Sequence, residues 1–282
     1  PFFFFHDQHR FLFASEMKAL WAAGIDRIPN QKMLFNFITI GYTGNPARPE
    51  ETFYENILQL PAASYLKFSL IYFQYTINSW WELDPEFEDK DITEAEALEE
   101  FASLLQSSVK RRMRSDLPIG TSLSGGIDSS SIVAMIHSLN HPNNSQQTFT
   151  AVFDGFEKDE AAFASTVAHA FRLQQHVTRF TGDDLLRDWD KLCYHQEEPF
   201  GSSSIYAQYK VYEKAREEGI TVLLDGQGAD EILAGYTSYY KWYWQELFRK
   251  RKLYRSKELK YARERGIHEN FDYRNMIAAY FP

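Results

Sequence analysis

The 282-residue sequence predicts an α/β fold, in which a parallel sheet flanked by helices follows a smaller β-rich region. Two patterns predict this arrangement. After residue 93, short apolar runs alternate with helical segments, which is typical of a parallel sheet covered on both faces. Before residue 84, aromatic runs are separated by polar turns, which is typical of antiparallel strands. The acidic stretch 84–92 is therefore predicted to be a linker between regions 1–83 and 93–282.

Region 1–83 is predicted to begin with a hairpin. Phenylalanine-rich runs at 2–5 and 11–13 flank the polar turn His-Asp-Gln-His. Apolar runs on either side of a polar turn are the usual signature of two antiparallel strands. Two short helices and two strands are expected to follow, at 15–21, 30–40, 57–68 and 70–81.

Region 93–282 is predicted to open with a helix, since Thr93 and Glu96 have the spacing of a capping box. Strands are expected at 119–123, 149–153, 175–180 and 221–225. Helices are expected between and after them, at 129–139, 160–172, 184–195, 204–218 and 239–254. In such a sheet, ligands bind beyond the carboxyl ends of the strands.

Composition excludes several classes of protein. The net charge of −9 argues against a nucleic-acid partner, because phosphate binding requires a basic face. Cys193 is the single cysteine, so no intrachain disulfide can form, which fits a reducing compartment. No apolar run reaches the roughly 20 residues of a membrane helix. We therefore expect a cytoplasmic protein without a nucleic-acid or membrane partner, and a homodimer stays an open alternative.

The first segment with chemical character is Ser-Leu-Ser-Gly-Gly-Ile-Asp-Ser-Ser at 122–130, between a strand and a helix. Glycines let backbone N–H groups approach an anion, and the helix N-terminus adds donors and a favourable dipole. Further hydroxyl donors are Ser124, Ser129 and Ser130. A carboxylate at Asp128 would repel phosphate unless it held a cation such as Mg²⁺. The alternative is a glycine turn in which Asp128 only caps the helix.

The second segment is Leu-Asp-Gly-Gln-Gly-Ala-Asp-Glu-Ile-Leu-Ala-Gly-Tyr at 224–236. A strand again leads through glycines into a helix, whose first turn contains Asp230 and Glu231. These carboxylates could simply stabilise the helix dipole. With Asp128 beyond another strand of the same sheet, however, two carboxylates would face one pocket, as Mg²⁺ bound to a polyphosphate requires.

The first string resembles the pyrophosphate-binding loop of the N-type ATP pyrophosphatases. The two strings in this order resemble the asparagine synthetase family. The resemblance covers nearly the whole chain. Its other parts are Phe-Leu-Phe-Ala-Ser-Glu-Met-Lys-Ala-Leu at 11–20, Thr-Phe-Tyr-Glu-Asn-Ile-Leu-Gln-Leu-Pro at 52–61, Trp-Glu-Leu-Asp at 81–84, the segment 153–168, and Glu-Glu-Pro with the serines at 197–204.

The resemblance implies a five-stranded parallel sheet of the adenine nucleotide alpha-hydrolase type. Region 1–83 would be the end of an Ntn-type glutamine amidotransferase domain. The implied reaction activates aspartate as β-aspartyl-AMP, releases pyrophosphate, and uses ammonia from glutamine to form asparagine. ATP and Mg²⁺ are the implied cofactors.

Residue roles follow from the same resemblance. Asp128 and Asp230 would bind Mg²⁺, and Gln227 and Glu231 would lie at the reacting centre. The implied nucleotide contacts are Leu123, Ser124, Gly125, Gly126, Asp128, Ser129, Ser130, Phe153 and Gly226, with Leu123 and Phe153 flanking the base.

The chain departs from the family in ways that leave alternatives open. Gln227 stands where asparagine synthetases have a glutamate, and glutamine cannot act as a base. The acceptor could therefore be another carboxylate, such as a sugar acid in surface-polysaccharide synthesis, or the protein could be a non-catalytic ATP-binding relative. No residue matches the amino-terminal cysteine nucleophile, so we expect a fragment that does not itself hydrolyse glutamine.

Two further groups near 200 carry weaker signals. Glu197 and Glu198 are expected either near the acceptor or simply at a helix end. The serines at 202–204 are expected to cap the following helix. Histidine spacing gives no zinc-site pattern.

Overall fold

A computed structural model describes residues 1–84, 87, 89, 91–139, 146–153, 160–267 and 269–281. The chain forms two compact units. The first comprises Pro1–Leu105, Phe153–Gly155 and Thr178–Lys214, and the second comprises Gln106–Val152, Phe156–Val177 and Ala215–Pro282. This division by spatial contacts differs from the sequence division at 84–92, which stays a prediction.

The first unit begins with the predicted hairpin. Strands β1 (Phe3–His6) and β2 (Phe11–Ala14) are antiparallel, and the short β3 (Leu58–Gln59) pairs with the other edge of β1. A buried apolar cluster packs against this sheet. Its members are Phe3, Met17, Leu20, Ile25 and Ile57.

The expectation of one strand over 57–68 was wrong, because the left-handed Ala63 interrupts it: Leu58–Gln59 pairs with β1, whereas a new strand begins at Ser64. The other early elements of the first unit are found close to their expected positions. Helix α1 (Met17–Ala22) is short, and α2 (Gln31–Ile40) begins at Asn30, whose side chain accepts a hydrogen bond from the Met33 N–H. Strands β4 (Ser64–Ser69) and β5 (Gln74–Ser79) form a second hairpin.

The predicted capping box is present at the start of α3 (Glu94–Arg112). The Glu96 N–H donates to the Thr93 hydroxyl, and the Glu96 carboxylate accepts from the Thr93 N–H at 2.9 Å. Each side chain therefore satisfies a backbone donor of the other residue, as the spacing predicts.

The main sheet contains β6 (Ile119–Ser122), β7 (Gln147–Val152), β8 (Gln174–Arg179) and β9 (Val222–Leu224), in the order β8-β7-β6-β9. Strand β6 is central and pairs in parallel with both β7 and β9. The four strands expected from the sequence pattern are thus confirmed. The five strands implied by the resemblance are not reached in the described part of the chain.

Four helices accompany these strands: α4 (Ile127–Leu139), α5 (Ala161–Phe171), α6 (Gly182–Gln196) and α7 (Ser204–Glu217). In the second unit, α4 and α5 enclose a buried cluster with the end of β6. This cluster contains Leu123, Val133, Ala164 and Ala168. Helix α6 begins before the expected Asp184, because Thr181 and Asp184 form a complete capping box.

The last part of the second unit is helical. Its helices are α8 (Ala229–Leu233), α9 (Thr237–Arg249), α10 (Glu258–Glu264) and α11 (Tyr273–Ala278). The expectation of one helix over 239–254 was wrong at its end, because Arg251 adopts a left-handed conformation that ends the helix. In the part of the chain that is described, no helix has the length and apolar character to cross a membrane.

Candidate functional site

The loop between β6 and α4 is tightly packed at Gly125. This residue has a φ of +91°, a conformation that favours glycine. A Cβ atom there would lie 2.7 Å from the carbonyl carbon of Phe163 at the start of α5. No other residue fits this position without moving α5, so the glycine allows the backbone to turn sharply into the N-terminus of α4.

Hydrogen bonds of two serine hydroxyls stabilise this loop internally. The Oγ atoms of Ser124 and Ser129 lie 3.0 Å apart, and the Gly126 N–H donates to Ser124 Oγ at 3.2 Å. Ser129 Oγ donates in turn to the Gly126 carbonyl at 3.3 Å. The Ser130 hydroxyl is buried and has no hydrogen-bond partner among the described residues. Hydrogen bonds of the serine hydroxyls therefore fix the backbone of the loop, and the buried Ser130 hydroxyl lies beneath it.

The loop after β9 lies directly against the first loop. A Cβ atom on Gly226 would lie 2.8 Å from the Ser129 nitrogen and 3.0 Å from the Asp128 carbonyl carbon. Only a glycine permits this approach of two backbones. The structure thus brings together the two glycine strings that the sequence separates by about a hundred residues, at the carboxyl ends of β6 and β9.

Asp230, in the first turn of α8, is held by the residues that follow the helix. The Gly235 N–H donates to the Asp230 carbonyl at 3.0 Å. A Cβ atom on Gly235 would lie 2.7 Å from Asp230 Cγ, so the carboxylate occupies the space of the missing side chain. The neighbouring Glu231 is exposed and accepts a hydrogen bond from the Tyr236 hydroxyl at 2.9 Å, which raises the pKa of Tyr236.

Gln227, which lies between Gly226 and Asp230 in the sequence, is exposed. Leu123, by contrast, is only 1% exposed, and its side chain lies in the core beneath α4 and α5. Its carbonyl accepts a hydrogen bond from Thr150 Oγ1 at 2.8 Å. In the first unit, the partly exposed Phe153 ring lies edge-to-face with Phe180, 5.1 Å between centroids.

Two carboxylates, Asp128 and Asp230, follow the strands β6 and β9. The described residues contain no group of three His, Cys, Asp or Glu side chains placed to hold a metal ion. Mg²⁺ in nucleotide sites, however, is commonly held by one or two carboxylates together with the substrate phosphates. The half-buried Asp128 and Asp230 could provide these carboxylates, and the N-terminus of the 13-residue α4 could provide anion-binding N–H groups.

Sequence reasoning missed the main role of Glu197 and Glu198. Glu197 does end α6, but both carboxylates also accept backbone hydrogen bonds from the amino-terminal part of the chain. The hint in the sequence was the pair of adjacent acidic residues before Pro199, which does not reveal the partner. Cys193, nearby on α6, is partly buried, and burial raises the pKa of its thiol, which disfavours a reactive thiolate.

Comparison with known proteins gives relatives over most of the chain. A candidate glutamine-hydrolysing asparagine synthetase 2 of Methanocaldococcus jannaschii is 34% identical over 89% of this chain and 47% of its own length. The glutamine-hydrolysing asparagine synthetase 2 of Bacillus subtilis is 28% identical over 84% of this chain and 33% of its own length. An amidase of Penicillium rubens is 29% identical over 57% of this chain and 26% of its own length.

The chain therefore spans between about a quarter and a half of these relatives. Among solved structures, an NH3-dependent NAD synthetase of Campylobacter jejuni is 16% identical, with a TM-score of 0.33 over 51% of this chain and 61% of that one. The asparagine synthase family matches residues 100–278, which include both glycine loops and the whole parallel sheet. The chain belongs to the asparagine synthase family.

Proposed function

We propose that this chain forms the ATP-using part of an amide-forming ligase that activates the side-chain carboxylate of aspartate and transfers ammonia from glutamine to it, giving asparagine. The observation that carries the proposal is the backbone contact between Gly226 and the loop at Asp128 and Ser129. It gathers glycines, hydroxyls and carboxylates at one edge of a parallel sheet, which is where nucleotides bind in such folds.

In the proposed reaction, a carboxylate oxygen attacks the α-phosphorus of ATP. The bond to the β-phosphate breaks, pyrophosphate leaves, and an acyl-adenylate remains. Ammonia then attacks the acyl carbon, the bond to AMP breaks, and a proton is lost from nitrogen. Mg²⁺, when bound with ATP, neutralises negative charge on the leaving pyrophosphate.

The chain's own residues would hold the phosphates and the metal. The backbone N–H groups of the first loop and the hydroxyls of Ser124, Ser129 and Ser130 would donate to the phosphates. Asp128, in the first turn of α4, and Asp230, in the first turn of α8, would bind Mg²⁺. Such donors stabilise the transition state because they are fixed before the reaction begins, as the hydroxyl contacts of the first loop are.

The reacting carboxylate would meet two exposed side chains, Gln227 of the loop after β9 and Glu231 of α8. A glutamine can position ammonia by hydrogen bonding but cannot remove a proton from it. This difference favours a second candidate function, the amidation of a carboxylate other than aspartate, such as a sugar acid. A relative whose name is amidase is consistent with other acceptors within the family.

The test is pyrophosphate release from ATP by the full-length protein, with Mg²⁺, ammonia and a panel of carboxylates. Aspartate-dependent release of pyrophosphate and AMP, with asparagine as product, supports the first function. Release only with a sugar acid supports the second. ATP binding without pyrophosphate from any carboxylate means that the ligase proposal is wrong. Asp128→Asn is the matched variant, and we expect it to lower the release rate by about 100-fold or more.

A further inference from the structure

A cavity lies at the amino ends of the strands of the parallel sheet, where β6 and β7 begin. Its volume is about 410 Å³, within the range of about 300–1,000 Å³ in which proteins bind small molecules. Its described lining residues all belong to the second compact unit. The glycine loops follow the carboxyl ends of β6 and β9, so the cavity is separate from the proposed ATP site.

Apolar side chains that are fixed by the core form part of the cavity wall. Ile136 of α4 and Ile220, which precedes β9, both line the cavity and are almost completely buried. A Cβ atom on Gly120 would lie 3.1 Å from Ile220 Cγ2, so this glycine leaves room for the isoleucine to pack over β6. Met113 and Leu117 add apolar surface between α3 and β6. The cavity therefore offers an apolar surface that exists before any ligand binds.

The polar part of the lining contains a buried acceptor. Gln146 is 7% exposed, and its Nε2 donates to the Val133 carbonyl at the long distance of 3.5 Å. Its Oε1 is buried and has no hydrogen-bond partner among the described residues. The neighbouring Gln147 differs, because its Oε1 lies 3.1 Å from His176 Nε2. A buried acceptor without a donor is costly, so Gln146 favours a ligand that has an N–H or O–H group.

The absence of charge in the described lining narrows the chemistry further. The side chains that line the cavity in the described part of the chain are all uncharged. An ion placed there would lose hydration without gaining a partner of opposite charge. The cavity therefore favours a neutral ligand.

We propose that this cavity binds a neutral small molecule with an apolar body and a carboxamide group, whose N–H donates to Gln146 Oε1. The last torsion of a glutamine side chain is broad, so this oxygen can turn towards the ligand. The apolar body contacts Ile136, Ile220 and Leu117. The inference goes beyond the proposed function and does not depend on it, because the cavity and the first glycine loop lie at opposite ends of β6.

Benzamide, titrated into the full-length protein, is the probe. The methionine methyl groups are isotope-labelled for NMR, and Met113→Leu identifies the signal of the methionine that lines the cavity. We expect this signal to shift and saturate with a Kd on the order of millimolar, as is usual for so small a ligand. The signal of Met17, which is buried in the first unit, should stay unchanged, and ATP should not displace benzamide.

A matched ligand tests the hydrogen bond. Acetophenone has the same ring and carbonyl group but a methyl group in place of the amide nitrogen, so it cannot donate. We expect it to bind about fivefold more weakly, the effect of one hydrogen bond. Gln146→Leu should lower the affinity for benzamide to that for acetophenone and should change the affinity for acetophenone by less than about twofold.

A matched pair of variants tests the location. Leu117 lines the cavity and is 52% exposed, so Leu117→Trp fills the cavity without disturbing the core, and we expect the saturating shift of Met113 to be lost. Leu70→Trp, at an 85% exposed position between β4 and β5, is the control and should bind benzamide normally. These variants and the acetophenone comparison decide the matter if Gln146→Leu does not fold.

Three outcomes would overturn the inference. The first is no saturating shift of Met113, or the same shift in Leu117→Trp as in the unmodified protein. The second is equal affinity for benzamide and acetophenone, because the Gln146 hydrogen bond would then contribute nothing. The third is competition by ATP, which would place benzamide in the ATP site. Pyrophosphate release is not measured in any of these experiments, so their failure is distinct from failure of the proposed function.

Discussion

Asp230 has its position because residue 235 lacks a side chain. The carboxylate occupies the space that a Cβ atom on Gly235 would fill. Gly235→Ala should therefore displace the carboxylate while leaving its charge. Loss of a residue that orients a metal ligand typically costs 10–100-fold in metal affinity or activity. We expect a loss of about this size, measured as a higher Mg²⁺ requirement for pyrophosphate release.

The control for this prediction is Gly44→Ala. Residue 44 has nothing within 4 Å of the added Cβ and no left-handed φ, so the substitution should change neither the Mg²⁺ requirement nor the rate. An unchanged Mg²⁺ requirement in Gly235→Ala would contradict the assignment of Asp230 as a metal ligand.

For single residues, the sequence predicted those hydrogen bonds whose two partners are close together in the chain. The capping pair Thr93 and Glu96 is present because three residues of spacing are enough to specify it. It failed for Glu197, whose carboxylate accepts from N–H groups about 180 residues earlier.

Two elements, the loops after β6 and β9, depend on each other's backbone. A Cβ atom on Gly226 would lie 2.8 Å from the Ser129 nitrogen, and backbone atoms cannot yield as a flexible side chain can. Gly226→Ala should therefore separate the loops. Because a shift of about 1 Å at a binding site can cost on the order of 100-fold, we expect ATP affinity to fall by about this factor in calorimetry.

Gly182→Ala is the matched variant for the loop prediction. Residue 182 begins α6, with nothing within 4 Å of the added Cβ, and this variant should bind ATP normally. Overpacking in Gly226→Ala should also destabilise the protein by about 1–3 kcal/mol in urea unfolding. Normal ATP affinity in a destabilised Gly226→Ala variant would show that the loop contact supports the fold but not the nucleotide site.

The order of the elements was predictable because their signals are local. Turn residues, apolar periodicity and helix caps indicated the strands and most helix starts, and the parallel pairing of β6 with β7 and β9 followed from the alternation. The early end of α9 was not predictable, since an aromatic helical pattern continues beyond it and the left-handed Arg251 has no sequence signal of its own.

The division of the molecule into two compact units was its least predictable property. The structure groups Thr178–Lys214 with the first hundred residues of the chain. Composition and linker signals cannot reveal such a grouping, because it arises from contacts such as those of Glu197 and Glu198 across more than a hundred residues. The same contacts predict that the stability of the protein depends on pH.

Burial raises the pKa of the Glu198 carboxyl above its ordinary value of 4.5, and the negative charge of the adjacent Glu197 raises it further. The hydrogen bond from the Phe53 N–H lowers this pKa, but the net effect is an increase. A carboxyl with a raised pKa binds its proton more tightly in the folded state. Its contribution to stability is therefore greatest at low pH and is lost as the pH rises from 4.5 through the raised value. Glu198→Gln removes this loss and keeps an acceptor for the Phe53 N–H.

We accordingly expect Glu198→Gln to gain stability relative to the unmodified protein as the pH rises from about 4.5 to 7, measured by urea unfolding at several pH values. Glu96→Gln provides a contrast of opposite sign. Hydrogen bonds from Thr93 lower the pKa of Glu96, so this variant should lose relative stability as the pH rises towards 4.5. If the stabilities of the two variants changed with pH in the same direction, the pKa of Glu198 would not be raised in the folded protein as its burial indicates.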